Sequence, residues 1–533
     1  MNMNRLLVVA VVFLSTMVVS RCVWSIDSSP APQLATESRP TADASAVERL
    51  IEARFAGRKH FNVMKYGAKR DAKSDDSCTV AARSTTLGCT NQDFKAADVG
   101  KVISIKGAAA DQRQLITVIA GYIDPEHVAL RDESAENVSR TGIIWGTDNL
   151  TAFQSALNAA AGQRLVFPLG AFLVKVSTKA QLEVPSDTVI FQEKGGALYM
   201  VGVSGTPSGD AGVRLFHLPE NTHDVLFDGL YCKGENSPYT VIPMNQSECI
   251  GGIGFHPESL RDITVMHSSF ENLYGFSVHD AGTGMRIDAI ANYFSHTSKG
   301  LNINADYSVQ LNNTFDADGG LEGSGGSSAY NNNRFRICTG QYAMSLGGRT
   351  NLPDGAYSVA QGNVIEGLGA SALGAISVAN GFTHGIVSKN RIADLRGSQI
   401  GINLSHSDYP AGTDGNLIAD NEIEGGASAR GIIVGGGVHG TRLERNQTAG
   451  TMYGAIISGS QTKSRDNVWS GGFKDLSIIS HGNEAREVEV RGDILVNGSY
   501  EIIGQATVTP DCYFLRSWHG EEVPLRAKSV SLR

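Results

Sequence analysis

Four stretches share one pattern: HSSFENLYGFSV (267–278), AIANYFSHTSKGLNI (289–303), QLNNTFDADGGLEG (310–323) and YNNNRFRICTGQYAMSL (330–346). Each runs from an asparagine through an apolar residue and a glycine-containing turn into a short β-branched or apolar strand. The pattern continues in AQGNVIEGLGASALGAISV (360–378), VSKNRIADLRGSQIGINL (387–404), IADNEIEGGASARGIIV (418–434) and LERNQTAGTMYGAIIS (443–458). The recurring asparagines are Asn272, Asn292, Asn313, Asn333, Asn363, Asn390, Asn421 and Asn446, spaced by 20, 21, 20, 30, 27, 31 and 25 residues. A repeat of that length is one coil of a solenoid, and the looser spacings are coils with one longer corner. Coils stacked ~4.8 Å apart pair every strand with its neighbours above and below, and stacked asparagines satisfy one another's amides at a buried turn. A β-sandwich gives no reason for Asn-x-[Ile/Phe] to recur in register. The fold class expected is all-β: a right-handed parallel β-helix.

Composition agrees. Hydrophobic residues make up 41% and charged residues 19% of the 533, which excludes a disordered chain, and 61 glycines against 15 prolines mark many tight turns. The start, MNMNRLLVVAVVFLSTMVVSRCVWS, pairs Arg5 with an apolar run too short to span a bilayer comfortably. It reads as a signal peptide over 1–25, so the expected location is secreted or periplasmic, with no stable membrane span after its removal. Losing Arg5 and Arg21 takes the net charge from −9 to about −11, which argues against nucleic acid as a partner. Of the six remaining cysteines, Cys78 and Cys89, and Cys232 and Cys249, are close enough in sequence to staple local loops of an exported protein. No pair has zinc-ligand spacing, and spacing alone does not settle the connectivity.

Before the repeats come a Pro/Ser/Ala linker and a short amphipathic helix (26–60), the latter with Val47, Leu50, Ile51 and Phe55 on one face. Next, FNVMKYGAKRDAKSDD (61–76) is a strand and a turn, GTDNLTAFQSALNAAAG (146–162) a helix capped by Thr147 and Asp148 and stopped at Gly162, and RLVFPLGAFLV (164–174) a bent strand pair. In order and spacing this resembles the N-terminal cap of the pectate-lyase-like superfamily, and the resemblance implies a cap from 61–76 and 146–175. Residues 77–145 interrupt it and alternate like a small inserted β subdomain. The β-helix itself is expected over 176–483. The last segment, 484–533, alternates strongly and is expected to close its open end.

Function in such a solenoid belongs on the outside of one sheet, where side chains from successive coils line a groove suited to a linear polysaccharide. YGFSVHDAG (274–282), followed one coil later by LNINADYSV (301–309), resembles the YG-x-DPH and ADY motifs of the mannuronan C-5 epimerases. The match assigns Tyr274 to the motif tyrosine, His279 to its histidine and Asp306 to the ADY aspartate. The resemblance implies a C-5 epimerase or β-eliminating lyase on a uronate polymer. His279 and Tyr274 would be the acid/base pair, and Asp306 would serve the substrate carboxylate or orient the histidine. The chain departs from the motif at Ser277 and Val278, which replace its aspartate and proline. It also departs at GGLEGSGG, which stands about where a basic residue is expected. Two alternatives stay open. Asp316, Asp318 and Glu322 offer carboxylates for glycoside hydrolysis, and a carbohydrate-binding β-helix without turnover needs neither set. Asp280, Arg334 and Arg336 are the candidate substrate-binding residues. The Asp/Gly-rich turns HDAG and FDADGG leave calcium open, although neither repeats as an array; no other cofactor and no metal site is evident. The oligomeric state is not legible.

Overall fold

The computed structural model describes residues 44–503, apart from 91–93, 178–179, 203–212, 235–246, 253–256, 274, 281–282, 318, 348–356, 380, 406–411, 480–488, 492–493 and 496–499. The expected signal peptide, Tyr274, Asp318 and most of the C-terminal segment lie outside these residues.

Three long parallel sheets, of 14, 13 and 13 strands, run side by side along the chain. Each coil gives one strand to each sheet, and each strand pairs with those one coil before and after, as Phe276–Asp280 does with Ser247–Gly252 and Lys299–Ile303. This is the expected parallel β-helix, with one continuous apolar core inside it.

The asparagine turn joins the first sheet to the third and explains the repeat. In each coil the residue before the asparagine takes a left-handed conformation, as at Asn312, Asn332, Lys389 and Asp420, which turns the amide inward. Asn313 Oδ1 then accepts both the backbone N–H and the Nδ2–H of Asn292, each at 3.0 Å. The ladder continues through Asn333, Asn363, Asn390, Asn421, Asn446 and Asn467. Asn272, expected as its first member, is not on it. Ser268 holds that position and donates its backbone N–H to Asn292 Oδ1, while Asn467 adds a last rung. Two residues after each ladder asparagine a side chain enters the core, apolar in every case but Thr448. Phe270, Phe294, Phe315 and Phe335 stack there with ring centroids 5.1, 4.8 and 4.6 Å apart.

Truncating one ladder residue strands its neighbours' donors. In Asn390→Ala, Asn363 loses the acceptor of both its backbone N–H and its Nδ2–H, and Ala360 O loses a donor. Each unmet buried group costs about 1–3 kcal/mol, so denaturant unfolding is expected to show a loss of at least about 2 kcal/mol with an unchanged m-value.

The second sheet has its own signature. Its strands Phe276–Asp280, Lys299–Ile303 and Tyr342–Leu346 bury their second, third and fifth residues and leave the first and fourth partly exposed. The first buried position is filled by small residues, including Gly300, Gly401, Gly431 and Gly454. A Cβ at Gly431 would lie 2.2 Å from the Gly454 carbonyl oxygen, so the coils approach too closely there for a side chain. The partly exposed positions form columns along the outside of the sheet.

At the N-terminal end, helix α1 (Ala44–Arg54) lies on the first sheet through Val47, Ile51 and the following Phe55. Leu50, expected on that face, is 38% exposed. Helix α2 (Leu150–Ala159) closes the first coil with Phe153, whose ring meets Phe167 and Phe172 edge-on at 4.8 and 5.6 Å. Asp148 Oδ1 accepts the Leu150 N–H, but Thr147 turns away to donate to Asp71. Between strand and helix, six antiparallel strands within Lys73–Gly146 close into a barrel around Phe94 and Trp145. Cys78 and Cys89 are bonded across two of its strands, and Cys232 is bonded to Cys249 in the solenoid.

Candidate functional site

One column on the outside of the second sheet is polar over eight coils: His217, Gly251, His279, Asn302, Glu322, Ser345, Ser377 and Asn403 stand in register. His279 is reached from below. Its Nδ1 donates to Glu248 Oε1 at 2.8 Å, and Glu248 Oε2 accepts from Arg214 Nε at 2.7 Å. Glu248 is fully buried and Arg214 nearly so, whereas the His279 side chain keeps 15% of its surface exposed.

The local sequence explains how two charges fit under a histidine. Arg214 and Glu248 are register partners on adjacent strands, and Gly251 follows Glu248 in the histidine column. A Cβ at Gly251 would lie 2.6 Å from Arg214 Nε and 2.7 Å from Glu248 Oε2. The ion pair therefore occupies the space that a side chain would take, and Cys249, bonded to Cys232, ties down the strand that carries it.

The electrostatics are consistent with a charged carboxylate. Burial pushes the Glu248 carboxyl upward, but the hydrogen bond from His279 and the charges of His279 and Arg214 hold it below its usual value. A carboxylate can only accept, so the proton between the two groups belongs to His279 Nδ1, and the lone pair of the neutral form of the ring lies on Nε2. No hydrogen bond to Nε2 comes from any described residue. This is an imidazole oriented by a buried carboxylate, which is in turn held by a guanidinium.

An aromatic ring, an ion pair and an amide surround it. The Phe276 ring packs 4.6 Å from the imidazole. Lys299, the register partner of Phe276 one coil on, places Nζ 4.5 Å above that ring and 3.0 Å from Glu322 Oε1. Asn302 sits beside His279 and donates to Glu322 Oε2 at 3.3 Å, while its own Oδ1 is buried and meets no donor among the described residues.

The residues named from sequence fall on different parts of this scaffold. His279 and Glu322 share the polar column. Asp306 lies past the end of its strand, bridges to Met285 and accepts the Gly326 N–H at 2.7 Å; the register partner of His279 is Asn302, 23 residues on. Asp280, expected on the groove, is buried at 2% exposure and aligned with core residue Ile303. Asp316, Arg334 and Arg336 belong to the third sheet, where Arg336 Nε donates to Asp316 at 2.8 Å and Arg334 pairs with Glu366. Asp316 and Glu322 therefore do not face one substrate. Sequence reasoning missed Arg214, Glu248, Gly251 and Lys299. Of these only Lys299 carried a readable signal, one coil after Phe276.

Asp187, His223 and Asp224 are the one cluster among the described residues within reach of a common metal ion. They lie by helix α1, whose Arg54 pairs with Asp224. That leaves the turns from which calcium was considered without a matching cluster among the described residues.

No protein-family model matches the chain, and no curated protein matches it in sequence. Solved structures do. The A-module of a mannuronan C-5 epimerase from Azotobacter vinelandii is 10% identical over 73% of this chain and 96% of its own, with a TM-score of 0.37. A PL6 alginate lyase in complex with a trisaccharide is 13% identical over 72% of this chain and 85% of its own (TM-score 0.39). A tailspike protein of E. coli bacteriophage HK620 in complex with a hexasaccharide is 11% identical over 73% and 76% (TM-score 0.42). At such identities the likeness assigns no role to any residue here.

Proposed function

We propose that the protein is a polysaccharide-active enzyme whose His279 takes the C5 proton from a uronate residue lying along the second sheet, leading to epimerisation or β-elimination. The observation that carries this reading is the Arg214–Glu248–His279 relay, because a histidine that only filled a surface needs no buried, ion-paired carboxylate to fix its tautomer. Lys299, shared with Glu322, is the cation that would meet the substrate carboxylate, whose charge grows as the C–H electrons move into it. Return of a proton to the opposite face of C5 gives the epimer, and expulsion of the C4 oxygen gives an unsaturated uronate. The acid that completes either step is the role the sequence resemblance assigns to Tyr274.

The test is incubation of the purified chain with polymannuronate, polyguluronate and polygalacturonate, following ultraviolet absorbance, reducing ends and proton NMR of the polymer together. Rising absorbance identifies elimination, and altered anomeric signals without it identify epimerisation. Reducing ends without absorbance would replace the reading with hydrolysis, and silence on all three polymers would leave a binding role.

A further inference from the structure

The third sheet carries a second organised cluster, on a different face from His279. Its strands Tyr231–Lys233, Ser269–Glu271, Tyr293–Ser295 and Thr314–Asp316 are in register, so that Tyr231, Ser269 and Tyr293 form one row and Lys233, Glu271, Ser295 and Asp316 the next. Two tyrosines thus flank a serine, two strand spacings or ~9.6 Å apart. Between them lies a shallow depression of about 260 Å³ lined by Tyr231, Ser269, Phe270, Glu271, Tyr293 and Ser295.

Both acids of this cluster are held in place. Glu271 accepts from the Tyr231 hydroxyl and pairs with Lys233 Nζ at 3.0 Å. Asp316 accepts from the Tyr293 hydroxyl at 2.8 Å and from Arg336 Nε at 2.8 Å. Each carboxylate has its own cation, so the cluster has no net formal charge. The tyrosine rings are tethered through their hydroxyls, which costs a ligand little ordering of the wall.

We propose that this slot is a saccharide-binding subsite for a neutral sugar residue, distinct from the His279 groove. A pyranose ring offers apolar C–H faces to aromatic walls and hydroxyls to its rim. Two contacts of about 3.5–4 Å with a ring between them fill most of the gap across Ser269. The Ser269 hydroxyl on the floor has no hydrogen-bond partner among the described residues, and the fixed carboxylates accept hydroxyls strongly. Charge balance gives a uronate no net attraction here. A polymer carrying both neutral and uronate residues, held on the third sheet by the former, would present the latter repeatedly to the groove around the corner, raising its effective concentration without a new catalytic contact. The subsite does not depend on proton transfer at His279.

The experiment is affinity electrophoresis through gels containing galactomannan, xyloglucan, dextran or polygalacturonate. It compares the wild type with Tyr231→Ala/Tyr293→Ala, Ser269→Gln and His279→Ala. Ser269→Gln fills the slot and leaves both tyrosines in place, so it guards against a folding defect in the double variant. Retardation in at least one neutral gel is expected. Its apparent affinity should fall about tenfold or more in the first two variants and be unchanged in His279→Ala. Migration unretarded in all three neutral gels, retardation by polygalacturonate alone, or neutral retardation that survives Ser269→Gln would each overturn the subsite, whatever the uronate assays show.

Discussion

His279→Ala is expected to lower turnover on the uronate substrate by about 10²–10⁴-fold, the range for removing a positioned general base, with little change in stability. The two effects separate because of where the ring lies. It projects from the outer face of the sheet beside Phe276 and, among the described residues, makes one hydrogen bond, to Glu248, which keeps Arg214 as a partner when the ring is gone. His279→Gln sharpens the test, since its amide can still donate to Glu248 but offers no lone pair basic enough to take a carbon-bound proton. Both variants are therefore expected to be equally slow, and added imidazole is expected to restore part of the rate to alanine but not to glutamine. A glutamine variant with near wild-type turnover would show that His279 organises the site without moving a proton.

How much of this was legible from sequence follows from which constraints repeat. Stacked coils impose the same demand at the same corner every time, so Asn-x-[Ile/Phe] appears in the text at six of the eight ladder asparagines, with Thr448 and Trp469 in the last two. The misplaced first rung has a physical cause. Ser268 makes the ladder's hydrogen bond by donating its backbone N–H to Asn292 Oδ1, while its hydroxyl serves the Leu230 N–H and the Met266 carbonyl. The corner can thus be built without the residue that advertises it. The barrel was readable as alternation, because antiparallel strands of one small core have period two whatever they are inserted into.

The site was half legible for a related reason. His279 lies in a local motif, but Glu248 and Arg214 reach it from successive coils, 31 residues before the histidine and 34 before the glutamate respectively. Those coils are long, and no asparagine marks their register. Counting one average turn forward led to Asp306, four positions past the true partner Asn302. A count fixes the coil, but a side chain's neighbour is fixed by register, and a slip of a few residues moves it from the sheet to a corner. Asp280 shows the same limit at shorter range. Adjacent to His279 in sequence, it points to the other side of the strand.

Glu248→Ala is expected to be the costlier change for the fold, at about 3–5 kcal/mol, the range for breaking a buried ion pair by removing one member. Its guanidinium partner is 5% exposed and Glu248 itself is fully buried, so the alanine variant leaves a cation with neither water nor counter-charge. The double replacement Arg214→Met/Glu248→Met should be less destabilised than Glu248→Ala, since it removes both desolvation costs at once. Glu248→Gln separates stability from chemistry. The neutral amide keeps the volume but cannot accept from Arg214 and His279 on both sides, so the histidine proton shifts to Nε2 and turnover is expected to fall by about 10²–10⁴-fold. The pH dependence has a definite sign. Because the folded carboxyl is held below its ordinary value of 4.5, its contribution to stability is fully present above that pH and is lost as pH falls through the folded value. Acid unfolding followed by circular dichroism should therefore be less steep in Glu248→Gln than in wild type below about pH 4.5. Identical acid limbs, together with a Glu248→Ala cost under about 1 kcal/mol, the level of an exposed pair, would mean that the carboxylate beneath His279 is not the charged, buried anchor on which the proposed proton transfer depends.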